Sequence, residues 1–204
     1  MAELDDVRLN TPVERIERKG GKVLVTSKGA AESFDFALAA CHSDQALAML
    51  GDATEAERNV LSAIRNQPNV AYLHTDASVL PRRELAWAAW NYEHSAANEK
   101  SRVCLHYLIN KLQPVPFKQP VVVSLNPVRE PNPASVIKRI EYSHPVFDRA
   151  AIAAQTELRS IQGAGNVWFG GAWAGYGFHE DGLTAGQDAA SEMMQRISRH
   201  ALAA

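Results

Sequence analysis

The sequence predicts a mixed fold, α+β with an α/β part, on three observations. Apolar residues change period along the chain, giving the order β-rich, two helices, β-rich, then helix–strand–helix. Prolines crowd between the apolar runs of the middle segment, as they do in loops at sheet edges. Eight of the twelve glycines fall between Gly163 and Gly186, where a short apolar run meets a helical one. At 204 residues the chain can bury a core as one large domain or two small ones.

The opening stretch, "TPVERIERKGGKVLVTSKGAAESFDFALAA", has apolar runs separated by Gly20-Gly21 and by Gly29. Phe34, Phe36 and Leu38 alternate with Ser33, Asp35 and Ala37, the period of a half-buried strand. Residues 36–40 are more uniformly apolar, as in a strand entering a core. Ser43 is placed to cap a helix to Leu50, and Thr54 with Glu57 forms a capping box for a second, with a break at Pro68.

Residues 69–142 hold five expected strands: "NVAYLHTD", "ELAWAAWNYE", "SRVCLHYLI", "PVVVSLNP" and "SVIKRIEY". This segment reads as a sheet that could be inserted into another domain. Asp148 is placed to cap a helix to Ile161, with Ala151, Ala154, Leu158 and Ile161 on one face and Gly163 ending it. The strand "NVWFGG" then leads through "GGAWAGYGFHEDG" to a last helix. Asp181 is its expected cap, and Leu183, Gly186, Ala190, Met193 and Ile197 share its expected buried face.

Composition narrows the function classes. A net charge of −2 carries no basic footprint for nucleic acid. Cys41 and Cys104 form neither a CxxC pair nor a secreted disulfide framework, which suits buried free thiols in a reducing compartment. "MAELDDVRLN" lacks the basic and apolar regions of a signal peptide, and no apolar run approaches the roughly 18 residues of a membrane span. A cytoplasmic protein without a membrane span is expected.

A glycine-rich loop before a capped helix can hold an anion or an electron-rich ring, because first-turn amides lack intrahelical acceptors and glycine permits close backbone approach. Trp173, Tyr176 and Phe178 suit the walls around a flat ligand. The same glycines also suit a tight strand–helix connection that binds nothing, so the residues alone leave both readings open. His179, Glu180 and Asp181 are consecutive and their side chains diverge. No histidine pair has HExxH-like spacing, so no metal is expected. There is no GxSxG elbow, and Gly175-Tyr176-Gly177 lacks the third glycine of a dinucleotide fingerprint.

"VWFGGAWAGYGFHEDGLTAGQDAA" resembles the C-terminal flavin-binding segment of the flavin-containing amine oxidase superfamily, and in particular a bacterial branch of NAD/FAD-binding oxidoreductases. "FDFALAACHSDQALAMLGDATEAERNVL", "NVAYLHTDASVLPRRELAWAAWNYE" and "HPVFDRAAIAAQTELRSIQG" resemble the same branch, so the likeness covers about residues 7–198. It implies an FAD cofactor and three segments. Residues 1–66 would be the late part of an FAD/NAD(P)-binding domain, 67–145 a mixed-sheet substrate domain, and 146–204 the helix, flavin-contacting loop and last helix of the FAD domain.

By that resemblance Val13 meets the adenine, and Gly170, Gly171, Ala172 and Trp173 pass the ribityl and pyrophosphate groups. Gly175, Tyr176, Gly177, Phe178, His179, Glu180 and Asp181 continue the cofactor wall. The helix start at Gly182, Leu183 and Thr184 turns its amides to the flavin N1/O2 edge. Trp87, Trp90 and Tyr92, with His74 and His106, would line or support the cavity for a small-molecule substrate, a lipid-like one included; sheet-core or structural roles remain open for all five.

The sequence departs from the superfamily pattern in having Ala172 and Trp173 where an acidic residue is usual, and Asn69 where many amine oxidases carry a lysine. These departures leave desaturase-like C–H oxidation as open as amine oxidation. The N-terminal Rossmann βαβ unit with GxGxxG is absent from this sequence. The expected partner is therefore that missing half, on the same gene or a split one, or a second copy of this chain. A non-catalytic, partner-binding subunit or remnant that keeps the fold is the alternative.

Overall fold

The computed structural model describes residues 4–94 and 104–203, with side chains described as far as residue 199. The fold is α+β, and the chain divides into two compact units, residues 1–66 with 145–204 and residues 67–144.

The first unit opens with an antiparallel meander of β1 (Val13–Lys19), β2 (Lys22–Ser27) and β3 (Ala30–Phe34). Gly20 (φ 59°) with Gly21 (φ 77°), and Lys28 (φ 50°) with Gly29 (φ 73°), turn the two hairpins. Two consecutive left-handed residues match the right-handed twist of the flanking strands. Ile16 and Val23 point into the core, whereas β3 is exposed throughout.

The alternating run 33–38, expected as one strand, is split. Phe34 ends β3, and β4 (Ala37–Ala40) belongs to a different sheet, where it pairs in parallel with β10 (Val167–Gly170). Alternation marks a half-buried strand but cannot show that the chain changes sheets within it. Phe36, at the crossing, packs edge-on against Trp168 with ring centroids 5.8 Å apart.

Helix α1 (Ser43–Met49) starts with His42, not Ser43, at its N-cap. Ser43 is fully buried and its hydroxyl donates to the Ile64 carbonyl at 2.7 Å. Helix α2 (Glu55–Ala63) has the expected capping box: Thr54 Oγ1 accepts from the Glu57 amide at 3.2 Å, and Glu57 Oε2 accepts from the Thr54 amide at 2.7 Å. The other Glu57 oxygen pairs with Arg18 of β1, whose guanidinium also donates to Asp52 at 2.9 Å and to the Ala164 carbonyl at 3.1 Å. Glu57 is fully buried, so this guanidinium both neutralises a buried charge and ties the meander to α2.

In the second unit five strands lie in the order β6-β7-β8-β5-β9: β5 (Asn66–His74), β6 (Trp90–Glu93), β7 (Cys104–Leu108), β8 (Val122–Leu125) and β9 (Val136–Pro145). Pro68 lies inside β5 rather than breaking the chain; register pairing with β8 begins only at Ala71, so no ladder bond to β8 is lost. Of "ELAWAAWNYE" only the end is a strand, because Glu84–Ala86 forms a 3-10 turn. Residues 101–103 of the expected third strand lie outside the described residues, and its last residue starts the short helix α3 (Ile109–Leu112).

The first unit closes with α4 (Arg149–Ile161) and α5 (His179–Ala203), on either side of β10 in sequence. Asp148 caps α4 as expected, accepting from the Ala151 amide at 2.9 Å. Gly163 takes the left-handed φ of 70° and donates its amide to Val167 O at 2.9 Å. In α5, among the described residues, Ala189 is buried, with Ala185, Gly186 and Met193 half-buried beside it. Leu183, Ala190 and Ile197, expected on the buried face, are exposed. Ala39, Leu61, Ile64, Ala151, Ile161, Val167, Phe169 and Trp173 centre the core of this unit. Among the described residues no helix is long and apolar enough to cross a membrane.

Arg18→Ala leaves the Glu57 carboxylate buried beside no cation. A loss of about 3 kcal/mol is expected, read as a lower urea midpoint at unchanged slope; a loss below about 1 kcal/mol would show the pair to be dispensable.

Candidate functional site

Parallel pairing puts the carboxyl ends of β4 and β10 at the same end of the sheet, each running towards the start of a helix, α1 and α5. The two connections are tied together by Trp173, whose indole Nε1 donates to the Cys41 carbonyl at 2.8 Å. Trp173 is a core residue, 2% exposed, so it does not stand with Tyr176 and Phe178 as a wall. A Cβ on Gly171 would lie 2.5 Å from that indole nitrogen, which is why the bend before it is glycine.

Residues 170–182 fold into a compact turn. The Gly175 and Gly177 amides both donate to the Ala172 carbonyl, at 3.2 and 3.0 Å. Gly177 holds φ 89°, a left-handed value at which a side chain would be strained. Helix α5 begins at His179, ahead of the expected start near Gly182, and the Gly182 amide already donates to Phe178 O at 3.2 Å. Asp181 is therefore not the N-cap. It lies inside the first turn and reaches back, accepting from the Phe178 amide at 2.8 Å and the Tyr176 amide at 3.1 Å. This is the return half of a capping box, and it leaves the amides of His179, Glu180 and Asp181 without intrahelical acceptors.

Around this helix start Tyr176 is 74% exposed and Phe178 62%. His179, Glu180, Leu183 and Thr184 are exposed as well. The loop's inner side is held by Gln155 of α4, whose amide donates to the carbonyls of Trp173 (2.8 Å) and Gly175 (2.6 Å). Sequence reasoning missed Gln155; its only signal is a polar residue beside the apolar stripe of α4. Val13 lies on the meander, at the start of β1, in a different sheet from β10, the strand that leads into the loop.

In the second unit the remaining candidates separate. Strand alternation puts Trp90, Tyr92, Leu105, Tyr107, Val123 and Leu125 on one face of the sheet, and His74, Ser124, His106, Cys104 and Glu93 on the other. The first face is open: Trp90 and Tyr92 are 55% and 63% exposed, and Trp90 packs edge-on against Tyr107 at 5.3 Å. The second is covered by residues 75–89, where Val79, Leu80 and Trp87 pack with Leu108 and Val122. Trp87 lies outside the strands, its indole donating to Pro81 O at 2.7 Å. Trp90 and Tyr92 thus share a face, and Trp87, His74 and His106 lie on the other side.

His74 and His106 are fully buried and joined through Ser124. His74 Nε2 lies 2.7 Å from Ser124 Oγ, His106 Nδ1 lies 2.6 Å from the same oxygen, and His106 Nε2 lies 3.0 Å from Glu93. The Asp76 amide donates to His74 Nδ1 at 3.1 Å, which makes Nε2 the protonated nitrogen of His74. The line then runs one way: His74 donates to Ser124, Ser124 to His106, and His106 to Glu93. Burial lowers the His74 pKa, in keeping with a neutral ring. Asn69 is locked by bonds to Gln67 O, His144 and Asn126.

No protein-family model matches the sequence, and no curated protein matches it. Solved structures do. They include a CLA-producing fatty acid isomerase from P. acnes (16% identity, 94% of this chain, 49% of that one, TM-score 0.63). A cyclohexylamine oxidase from Brevibacterium oxydans IH-35A follows at 14% identity, 92% and 48% coverage and TM-score 0.59. A putrescine oxidase redesigned in cofactor binding matches at 14%, with 95% and 50% coverage and TM-score 0.62. The chain shares its fold with amine oxidases. At these identities the likeness is one of fold, and the chain spans about half the length of the structures it matches.

Two measurements probe this geometry. Asp181→Ala removes the acceptor for two loop amides, so a loss of about 1–2 kcal/mol and faster hydrogen exchange at Tyr176 and Phe178 are expected, with α4 amides unchanged. Asp76 is held down from 3.8 to about 2, first by the hydrogen bond with the Ser78 side chain and then by the Asn132 amide. Its contribution to stability is present above its ordinary pKa and fades as the pH falls towards about 2. Acid titration of the melting temperature should therefore be flatter over that window in Asp76→Asn.

Proposed function

We propose that this chain supplies the ring-facing part of an FAD site in an oxidoreductase of amine-oxidase type. The observation that carries the reading is the exit of β10 through a glycine turn onto the N-terminus of a 25-residue helix, beside the carboxyl end of a parallel neighbour. Ligands of parallel α/β sheets bind in such crevices. The residues fit a flavin. First-turn amides and a helix end carrying about half a positive charge suit the N1/O2 edge, where a reduced flavin gathers negative charge. Tyr176 and Phe178 offer exposed apolar rings, and the left-handed Gly177 lets the backbone come close.

When bound, the flavin supplies the hydride-accepting chemistry. The chain's own residues have other tasks. His179, Glu180 and Asp181 amides orient the ring edge, Asp181 and Gln155 hold the loop in shape, and Tyr176 and Phe178 shield the site from water. In the second unit the open face bearing Trp90, Tyr92 and Tyr107 suits a small, largely apolar substrate. His74 and His106 lie beneath that face and support it.

The ADP portion of the cofactor is assigned to a segment outside this chain, in keeping with the half-length match. The outer edge of β4 favours the same view, because among the described residues β4 has β10 as its only ladder partner, while the free edge of β10 is closed by Gln162. Exposed Leu183, Met194 and Ile197 on α5 offer that segment an apolar surface, and they equally suit a subunit that docks a partner without turnover.

Flavin titration separates the readings. FMN and FAD should stabilise the isolated chain alike, since its contacts are with the ring half. At a hundredfold excess over Kd the gain is about 2.7 kcal/mol, a shift of several degrees in Tm. Tyr176→Ala and Phe178→Ala should each weaken binding about tenfold without lowering the unliganded Tm. If neither flavin moves the Tm or changes its own fluorescence, the reading fails and the docking subunit stands.

A further inference from the structure

We propose that Glu93, Cys104 and His106 form a divalent-metal site suited to Zn²⁺, with its fourth position open and a cavity adjoining two of the ligands. One pair of antiparallel strands supplies all three ligands. Cys104 and His106 alternate onto the same face of β7, and Glu93 is the register partner of Cys104 on β6. Cys104 and His106 are 2% and 1% exposed, and Glu93 reaches in from a half-exposed position.

The donor atoms form a triangle with sides of 3.0 Å (His106 Nε2 to Glu93 Oε2), 3.6 Å (His106 Nε2 to Cys104 Sγ) and 3.7 Å (Cys104 Sγ to Glu93 Oε2). A tetrahedral zinc, with bonds of about 2.0 Å to nitrogen and oxygen and about 2.3 Å to sulfur, has edges of about 3.3 Å between nitrogen and oxygen and about 3.6 Å to sulfur. The side chains already stand close to those edges, so little rearrangement is needed. Thiolate, imidazole and carboxylate together select zinc over magnesium or calcium, and their two negative charges neutralise a dication.

The surroundings also fit. Ser124 Oγ, 2.6 Å from His106 Nδ1, fixes the ring as partners of metal-bound histidines do. Metal binding at Nε2 moves the neutral ring's proton to Nδ1, so Ser124 accepts from both imidazoles and its own hydroxyl proton, no longer given to His106, turns away from the two rings. One proton, from the Cys104 thiol, leaves to solvent. A cavity of about 370 Å³ adjoins two of the ligands, lined by His106 and Glu93 together with Ser78, Arg82, Tyr92 and Arg129. Three protein ligands with one open position leave room for a water or hydroxide, and the two arginines favour an anionic occupant. None of this rests on the flavin reading.

Cobalt titration of the full, chelator-treated chain tests the site. One Co²⁺ per chain should produce a thiolate-to-metal charge-transfer band and the intense visible bands of tetrahedral cobalt, and Zn²⁺ should abolish both. Cys104→Ser should lose the charge-transfer band, Cys41→Ser should keep it, and Glu93→Gln should keep it with about tenfold weaker affinity. Glu93→Gln alters a half-exposed side chain and serves if Cys104→Ser does not fold. The proposal is overturned by a wild-type chain that gives no charge-transfer band, by a band that follows Cys41 instead of Cys104, or by Glu93→Gln binding as tightly as wild type.

Discussion

The parallel pair β4–β10 is the constraint on which the first unit depends. Two four-residue strands are too short to hold together through their ladder alone, and β10 is buried along its whole length, so each of its backbone groups needs a partner inside the protein. On one edge β4 supplies them. On the other, the Gln162 side-chain amide donates to Phe169 O at 2.7 Å and accepts from Phe169 N at 2.8 Å, and the Gly163 amide takes the Val167 carbonyl. Gln162 thus imitates a neighbouring strand at the point where α4 has just ended. With β10 held in this way, its exit is fixed, and with it the turn that delivers the start of α5.

The loop that follows is rigid for reasons other than its glycines. Trp173 anchors it to the Cys41 carbonyl, Gln155 holds two of its carbonyls, and Asp181 holds two of its amides. Glycine is required where a side chain would collide, as at Gly171, or where φ is left-handed, as at Gly177. Flexible residues are here built into a preorganised surface, the condition for orienting a flat ligand without a large entropic cost on binding.

The second unit keeps polar chemistry and open surface on opposite faces of one sheet. Its aromatic face is open, while the buried face carries the directed line from His74 through Ser124 and His106 to Glu93. Buried polar groups are tolerated when each proton has an acceptor. The Asp76 amide sets the direction of this line, because it leaves His74 only one nitrogen from which to donate.

Local patterns were legible wherever the cause is local. The capping box at Thr54 and Glu57, the Asp148 cap, the turn glycines and the α+β order could all be read from neighbouring residues. So could the glycine cluster as the exit from a buried strand. Failures came where a distant contact decides. Ser43 fits a cap but is drawn under Ile64, Asp181 caps from within the helix, and the buried stripe of α5 is rotated away from Leu183 and Ile197. The sequence shows Cys104 and His106 two residues apart, but only strand pairing puts Glu93 beside Cys104, and only the neighbouring strand brings Ser124 to His106. By itself, then, the sequence determined the order of strand-rich and helical regions and several caps and turns, since propensity, periodicity and capping act within a few residues. The split at residues 35–36, the strand through Pro68 and the short β6 came from the tertiary structure. The tertiary structure decided which side chains meet, because register and sheet order join residues that the chain keeps far apart.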